Sequence, residues 1–145
     1  MIQSKMPSIH ILLADDDIDD CFFFEKVLDE MPIHIQLDIV RDGEQLMNYL
    51  HEHSSRLPDM LFLDLSMPRK TGFECLSEIK ENDKFKSIYI VMLSTSYSRD
   101  LHYEESMIVL LRDLGADRYI RKSADFARIV HVVNKFYIQN NVQVL

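Results

Sequence analysis

Three stretches of this 145-residue chain are short and almost uninterruptedly apolar: "SIHILLA" at Ser8–Ala14, "MLFLD" at Met60–Asp64 and "SIYIVML" at Ser87–Leu93. Strands buried on both faces read this way, because neither face meets water, and they occur in parallel sheets covered by helices. "HIQLDIV" at His34–Val40 alternates apolar and polar residues as an edge strand does, and "RYI" at Arg118–Ile120 is a shorter fifth run. Between these runs apolar residues recur every three or four positions. Ile18–Glu30 carries Phe23, Phe24, Val27 and Leu28; Glu44–His53 carries Leu46, Met47 and Leu50; Gly72–Glu81 carries Phe73, Leu76 and Ile79. Leu101–Leu114 carries Ile108, Leu111 and Leu114 before Gly115, a natural helix stop, and Ala124–Ile138 carries Phe126, Ile129, Val130, Val133 and Phe136. Such spacing puts one apolar stripe on each helix. A strand–helix unit repeated five times predicts an α/β fold, a doubly wound five-stranded parallel sheet with helices on both faces.

Ligands of such sheets bind beyond the carboxyl ends of the strands, where strand order reverses. The residues there are Asp15 and Asp16 after the first strand, Asp64 at the end of the third, Ser94 and Thr95 after the fourth, and Lys122 after the fifth. Converging carboxylates repel unless they share a proton or hold a cation. Hard oxygen donors favour Mg2+ over Zn2+, and Mg2+ prefers one or two carboxylates together with a phosphate. That combination points to phosphoryl chemistry. A carboxylate can act as nucleophile, the metal can neutralise phosphoryl oxygens, a lysine can supply a mobile point charge and a serine hydroxyl a hydrogen bond. Taken singly, each residue has a plainer reading: Asp64 as a turn former or cap, Ser94 as a turn residue, Lys122 as a solvated surface lysine. The signal is their coincidence at the ends of the right strands.

Composition narrows the field further. Apolar residues make up 47% and charged residues 28%, with three Gly and four Pro, as in a single globular domain spanning 1–145. No apolar run approaches the roughly 20 residues that cross a membrane. The N-terminal run Ile9–Ala14 is too short for a signal peptide and ends in aspartates, so a cytoplasmic location is expected. Cys21 and Cys75 sit within helical apolar patterns, as buried thiols do, and make neither a disulfide framework nor a zinc spacing. A net charge of −8 argues against nucleic acid as a partner. The densest basic groups, Arg69-Lys70 and Arg118, Arg121 and Lys122, are too small for such a footprint.

"LLADD", "LFLDLSMPRKTGFE", "VMLST" and "GADRYIRKS" together resemble the receiver domain of two-component response regulators, from about Ser8 to Ile138. The likeness extends to stand-alone receivers of the type that partners phytochromes. It implies a flavodoxin-like sheet of strand order 2-1-3-4-5. It also implies that Asp64 is the phosphoacceptor, and that Asp15, Asp16, Asp64 and the backbone carbonyl of Ser66 hold Mg2+. Ser94 then matches the switch hydroxyl, Tyr119 the switch aromatic and Lys122 the family's lysine. The implied donor is a phosphohistidine on a sensor histidine kinase or a histidine phosphotransfer protein. The implied output is a remodelled face of fourth helix, fifth strand and fifth helix. That face would meet a downstream protein target or form a homodimer, to which Phe136 and Tyr137 can contribute equally well as to a core. The family usually carries Pro after the lysine; here Ser123 follows, and a cis bond to a non-Pro residue costs about 2.5–4 kcal/mol. The segment Ser96–Ser106, "SYSRDLHYEES", is longer than in the chemotaxis type and suggests a different partner. With no output domain after the fifth helix, signalling is expected through protein contact and not through turnover as an enzyme.

Two other readings share parts of this pattern. A phosphohydrolase of the haloacid dehalogenase type needs Asp-x-Asp after its first strand, whereas Asp64-Leu65-Ser66 follows the third. A pseudo-receiver acting as a constitutive docking module would have no reason to keep the acidic pair, Asp64, Ser94 and Lys122. The acidic run "DDDIDD" then divides in two. Asp15 and Asp16 are the metal pair. Asp17 is the N-cap of the first helix, with Asp19 and Asp20 in its first turn and Asp20 expected to bond back to the cap.

Overall fold

The computed structural model describes residues 8–94, 101–122 and 126–141. Strand and helix alternate as β1 (Ser8–Ala14), α1 (Ile18–Asp29), β2 (His34–Val40), α2 (Gly43–Glu52), β3 (Met60–Asp64), α3 (Gly72–Glu81), β4 (Tyr89–Ser94), α4 (Leu101–Asp113), β5 (Arg118–Arg121) and α5 (Phe126–Asn141). The strands form one parallel sheet in the order β2-β1-β3-β4-β5, as expected. Strand order reverses between β1 and β3, which places the ends of those two strands at the crevice.

Alternate residues of the three central strands feed two separate cores. Leu12, Ala14, Leu61, Leu63, Ile90 and Met92 meet α2, α3 and α4 through Leu46, Leu50, Leu76, Ile79 and Leu111. Ile11, Leu13, Phe62, Val91 and Leu93 meet α1 and α5 through Phe24, Leu28, Ile129 and Val133. Phe24 packs edge-on against Phe62, with ring centroids 4.9 Å apart. Both cysteines are buried.

Two expectations are corrected here. β4 begins at Tyr89 and not at Ser87, because the Ile88 amide is taken by the Phe85 carbonyl (3.0 Å) in a preceding turn. Phe23 is not on the buried stripe of α1. The buried line is Cys21, Phe24 and Leu28, and Phe23, next to Phe24 and turned about 100° from it, is 56% exposed. Phe136 and Tyr137 both lie against the second core, Phe136 with its ring on Tyr89. Residues 96–100 of the long segment and Ser123 lie outside the described residues, while Leu101–Ser106 form the first half of α4.

Glycine at the start of α3 is required by a close approach. A Cβ on Gly72 would stand 2.2 Å from the Asp64 carbonyl oxygen and 2.8 Å from Leu65 Cα. The Gly72 amide donates to the Leu65 carbonyl (3.0 Å), and Thr71 and Glu74 form a reciprocal capping box around it. The end of β3 is thus clamped by the first turn of α3. Gly72→Ala is expected to cost about 1–3 kcal/mol by overpacking backbone that cannot give way. Urea denaturation measures this, and an unchanged midpoint would mean that α3 retreats without strain.

Candidate functional site

β1 delivers Asp15 to the crevice: its amide still bonds Val40 of β2 (3.0 Å), so the residue is 1% exposed. Its Oδ1 accepts from the Asp17 amide at 3.0 Å. Asp64 closes β3, the middle strand, and is 3% exposed; its Oδ1 accepts from the Ser66 amide at 3.2 Å. Asp16 is exposed. One carboxylate oxygen from each of Asp15, Asp16 and Asp64 lies within 4.8 Å of the other two.

Lys122 follows β5 directly, and its amide donates to the Ser94 carbonyl (2.8 Å), which fixes it beside the end of β4. It lines one small cavity together with Phe24, Leu93, Ile120 and Ile129. Its ammonium reaches Asp15 Oδ2 at 2.5 Å, Asp20 Oδ2 at 3.0 Å and Asp64 Oδ2 at 3.2 Å. Ser94 is buried at the end of β4, next to Leu93, the register partner of Asp64. Tyr119 on β5 is half-buried against the first core, and Ser66 is exposed.

Burial pushes the Asp64 carboxyl up to about 6; the Lys122 charge pulls it down, and the Asp15 charge raises it further. Burial alone would lower the Lys122 ammonium, but its hydrogen bond to Asp15 and the charges of Asp64 and Asp15 outweigh this and hold it above its ordinary value. Cys21, whose Sγ donates to the Asp15 carbonyl (3.6 Å), is raised to about 11 by burial and then by the Asp15 charge, so the thiol is inert. Three carboxylates face one ammonium and Asp16 adds a fourth to the cluster, a surplus of negative charge that a hard divalent cation would offset. All donors in the cluster are oxygens, which fits Mg2+ or Mn2+ better than Zn2+.

The structure therefore brings together Asp15, Asp16, Asp64 and Lys122, with Ser94 alongside. It also corrects the reading of Asp20. Asp17 is the N-cap, accepting from the Asp20 amide at 3.1 Å, but the Asp20 side chain does not return to the cap. It turns inward to Lys122, so the acidic run contributes three residues to the crevice instead of two. The available signal was helical spacing: Asp20, Phe24 and Leu28 fall every four residues, which places Asp20 at the head of the buried stripe. Asp16→Ala is expected to remove Mg2+ dependence at little cost in stability, whereas Asp17→Ala costs about 1 kcal/mol and leaves metal affinity nearly intact. Calorimetric Mg2+ titration and thermal melts of both variants separate these effects; equal losses of Mg2+ affinity would overturn the division.

A doubly wound sheet with an acidic pair after β1, an aspartate closing β3 and a lysine after β5 defines a receiver. The chain matches the response regulator receiver domain over residues 11–134 and belongs to that family. It is 32% identical to the response regulator Rcp1 of Synechocystis sp., over 94% of this chain and 93% of that one. The crystal structure of the Mn2+-bound form of Rcp1 superposes with a TM-score of 0.72 at 30% identity, covering 90% of this chain and 92% of that chain. The phosphorylated cyanobacterial phytochrome response regulator RcpA gives 0.73 at 32% identity, covering 91% and 93%. These relatives are signalling regulators and not turnover enzymes. No helix among the described residues is long and apolar enough to cross a membrane.

Proposed function

We propose that this protein is a response regulator that accepts a phosphoryl group on Asp64. The donor is a phosphohistidine of a sensor histidine kinase or of a histidine phosphotransfer protein. The observation that carries this reading is the buried Asp64–Lys122 pair set against the three-carboxylate cluster. An Asp64 oxygen attacks phosphorus, the phosphorus–nitrogen bond of the phosphohistidine breaks, and the departing imidazole nitrogen keeps the electron pair. Asp15, Asp16, Asp64 and the Ser66 carbonyl would hold Mg2+, whose charge neutralises phosphoryl oxygens. Lys122 and the Ser94 hydroxyl serve the remaining phosphoryl oxygens, and Tyr119 relays the change at Ser94 to the surface.

Output goes through the face of α4, β5 and α5, to a downstream protein or a second copy of the chain. Tyr103, Val109 and Leu110 are exposed on α4 and suit such contact. Neither a nucleic acid nor a membrane is part of this reading. Incubation with acetyl phosphate tests it: acid-labile phosphate on the protein is expected with Mg2+ and not with a chelator. Equal labelling in the presence of chelator, or none with Mg2+, would refute the assignment.

A further inference from the structure

Lys122 has three N–H donors, and three carboxylates surround them. Each arrives on a different element: Asp15 from the end of β1, Asp64 from β3 and Asp20 from the first turn of α1. Asp15 and Asp64 also belong to the cation cluster; Asp20 does not. An anion seated on Asp64 needs one donor from Lys122, and every donor is already engaged by a carboxylate. The anion must therefore compete, and Asp20 is the competitor with no share in holding the metal. Asp20 also adds negative charge beside the place an anion would occupy. Loss of Asp20 would not release the lysine, because Asp15 and Asp64 still hold it.

We infer that Asp20 is a positioning residue acting through Lys122: it draws the ammonium toward α1 and weakens the grip of the site on a phosphoryl anion. This rests on Asp64 being the phosphoacceptor. It ties the position of α1 to phosphoryl affinity, since moving the helix moves the competing carboxylate.

The test is titration of the full chain with beryllofluoride in saturating Mg2+, followed by calorimetry. Asp20→Asn is expected to bind about tenfold tighter than wild type, a gain of about 1.4 kcal/mol. Asp20→Glu, which keeps the carboxylate, should stay within about twofold. Asp19→Asn removes the same charge from the same turn at an exposed position and should also stay within about twofold. In the metal-free protein, the Lys122 Nζ resonance should move in Asp20→Asn and hold still in Asp19→Asn, a change that a purely structural role for Asp20 would not produce. Thermal melts check that each variant is folded. Unchanged or weaker binding by folded Asp20→Asn would overturn the inference, as would an equal gain in Asp19→Asn. Wild type that binds no beryllofluoride would overturn the phosphoacceptor reading along with it, so the two failures are distinguishable.

Discussion

Asp64→Asn is expected to take up no acid-labile phosphate, while its metal-free form melts at a higher temperature than wild type at neutral pH. The first half follows from replacing the nucleophile with an amide that cannot form an aspartyl phosphate. The second follows from the raised pKa of Asp64. Asp64 titrates near 6 in the folded protein because it is buried, with Lys122 only partly offsetting that burial, against 3.8 for an ordinary aspartate. A folded value above the unfolded one means that the native state binds the proton more tightly. That contribution is present at low pH and is lost as pH rises through the folded value. The ionised carboxylate thus costs on the order of 1–3 kcal/mol at neutral pH. Asparagine keeps the shape and removes the charge. The gap in melting temperature should close as pH falls from about 7 toward 4, and Mg2+ should stabilise wild type more than the variant. Melts in chelator at the two ends of that range measure it. A variant less stable than wild type at neutral pH would show that attraction to Lys122 exceeds the burial penalty.

Lys122→Met is expected to destabilise the metal-free protein by about 3–5 kcal/mol at neutral pH, because it leaves buried carboxylates without a counter-charge. Methionine keeps an unbranched chain of similar reach beside Phe24, Ile120 and Ile129, so the loss is electrostatic and not a cavity effect. Without the ammonium, Asp64 is pushed further upward, and protonation then relieves the strain. Stability of the variant should therefore recover as pH falls. The wild-type lysine behaves oppositely: its folded value lies above its ordinary one, so its contribution is present through the neutral range and is lost only in alkali. Urea denaturation near pH 5 and pH 8 compares these directions. A loss below about 1 kcal/mol at pH 8 would mean that water solvates the carboxylates in place of the ammonium.

Much of this architecture is legible before any coordinates. β1, β2, β3 and α3 begin and end at the residues that hydrophobic periodicity indicates. Period is a local property: a strand shows alternate residues to opposite faces and a helix shows every third or fourth to one. The identity of strand-end residues is local too, which is why Asp15, Asp64, Ser94 and Lys122 stand out. β4 starts later than its apolar pattern indicates, because Ser87 and Ile88 continue the pattern although a turn claims the Ile88 amide. Three consecutive phenylalanines leave the periodicity of α1 ambiguous, and only contact with the sheet selects Phe24 over Phe23.

The same contact decided Asp20. By itself the sequence determines that α1 is a helix capped by Asp17, that five strands alternate with five helices, and which side chains stand at the strand ends. It does not determine how far α1 is rotated about its own axis. That angle is set when Phe24 packs onto Phe62 and Leu28 follows it into the core. The rotation turns Asp20 from the helix cap to a lysine 102 residues further along the chain. Neighbours in sequence propose a capping box; packing between distant elements, worth more than one capping hydrogen bond, overrides it.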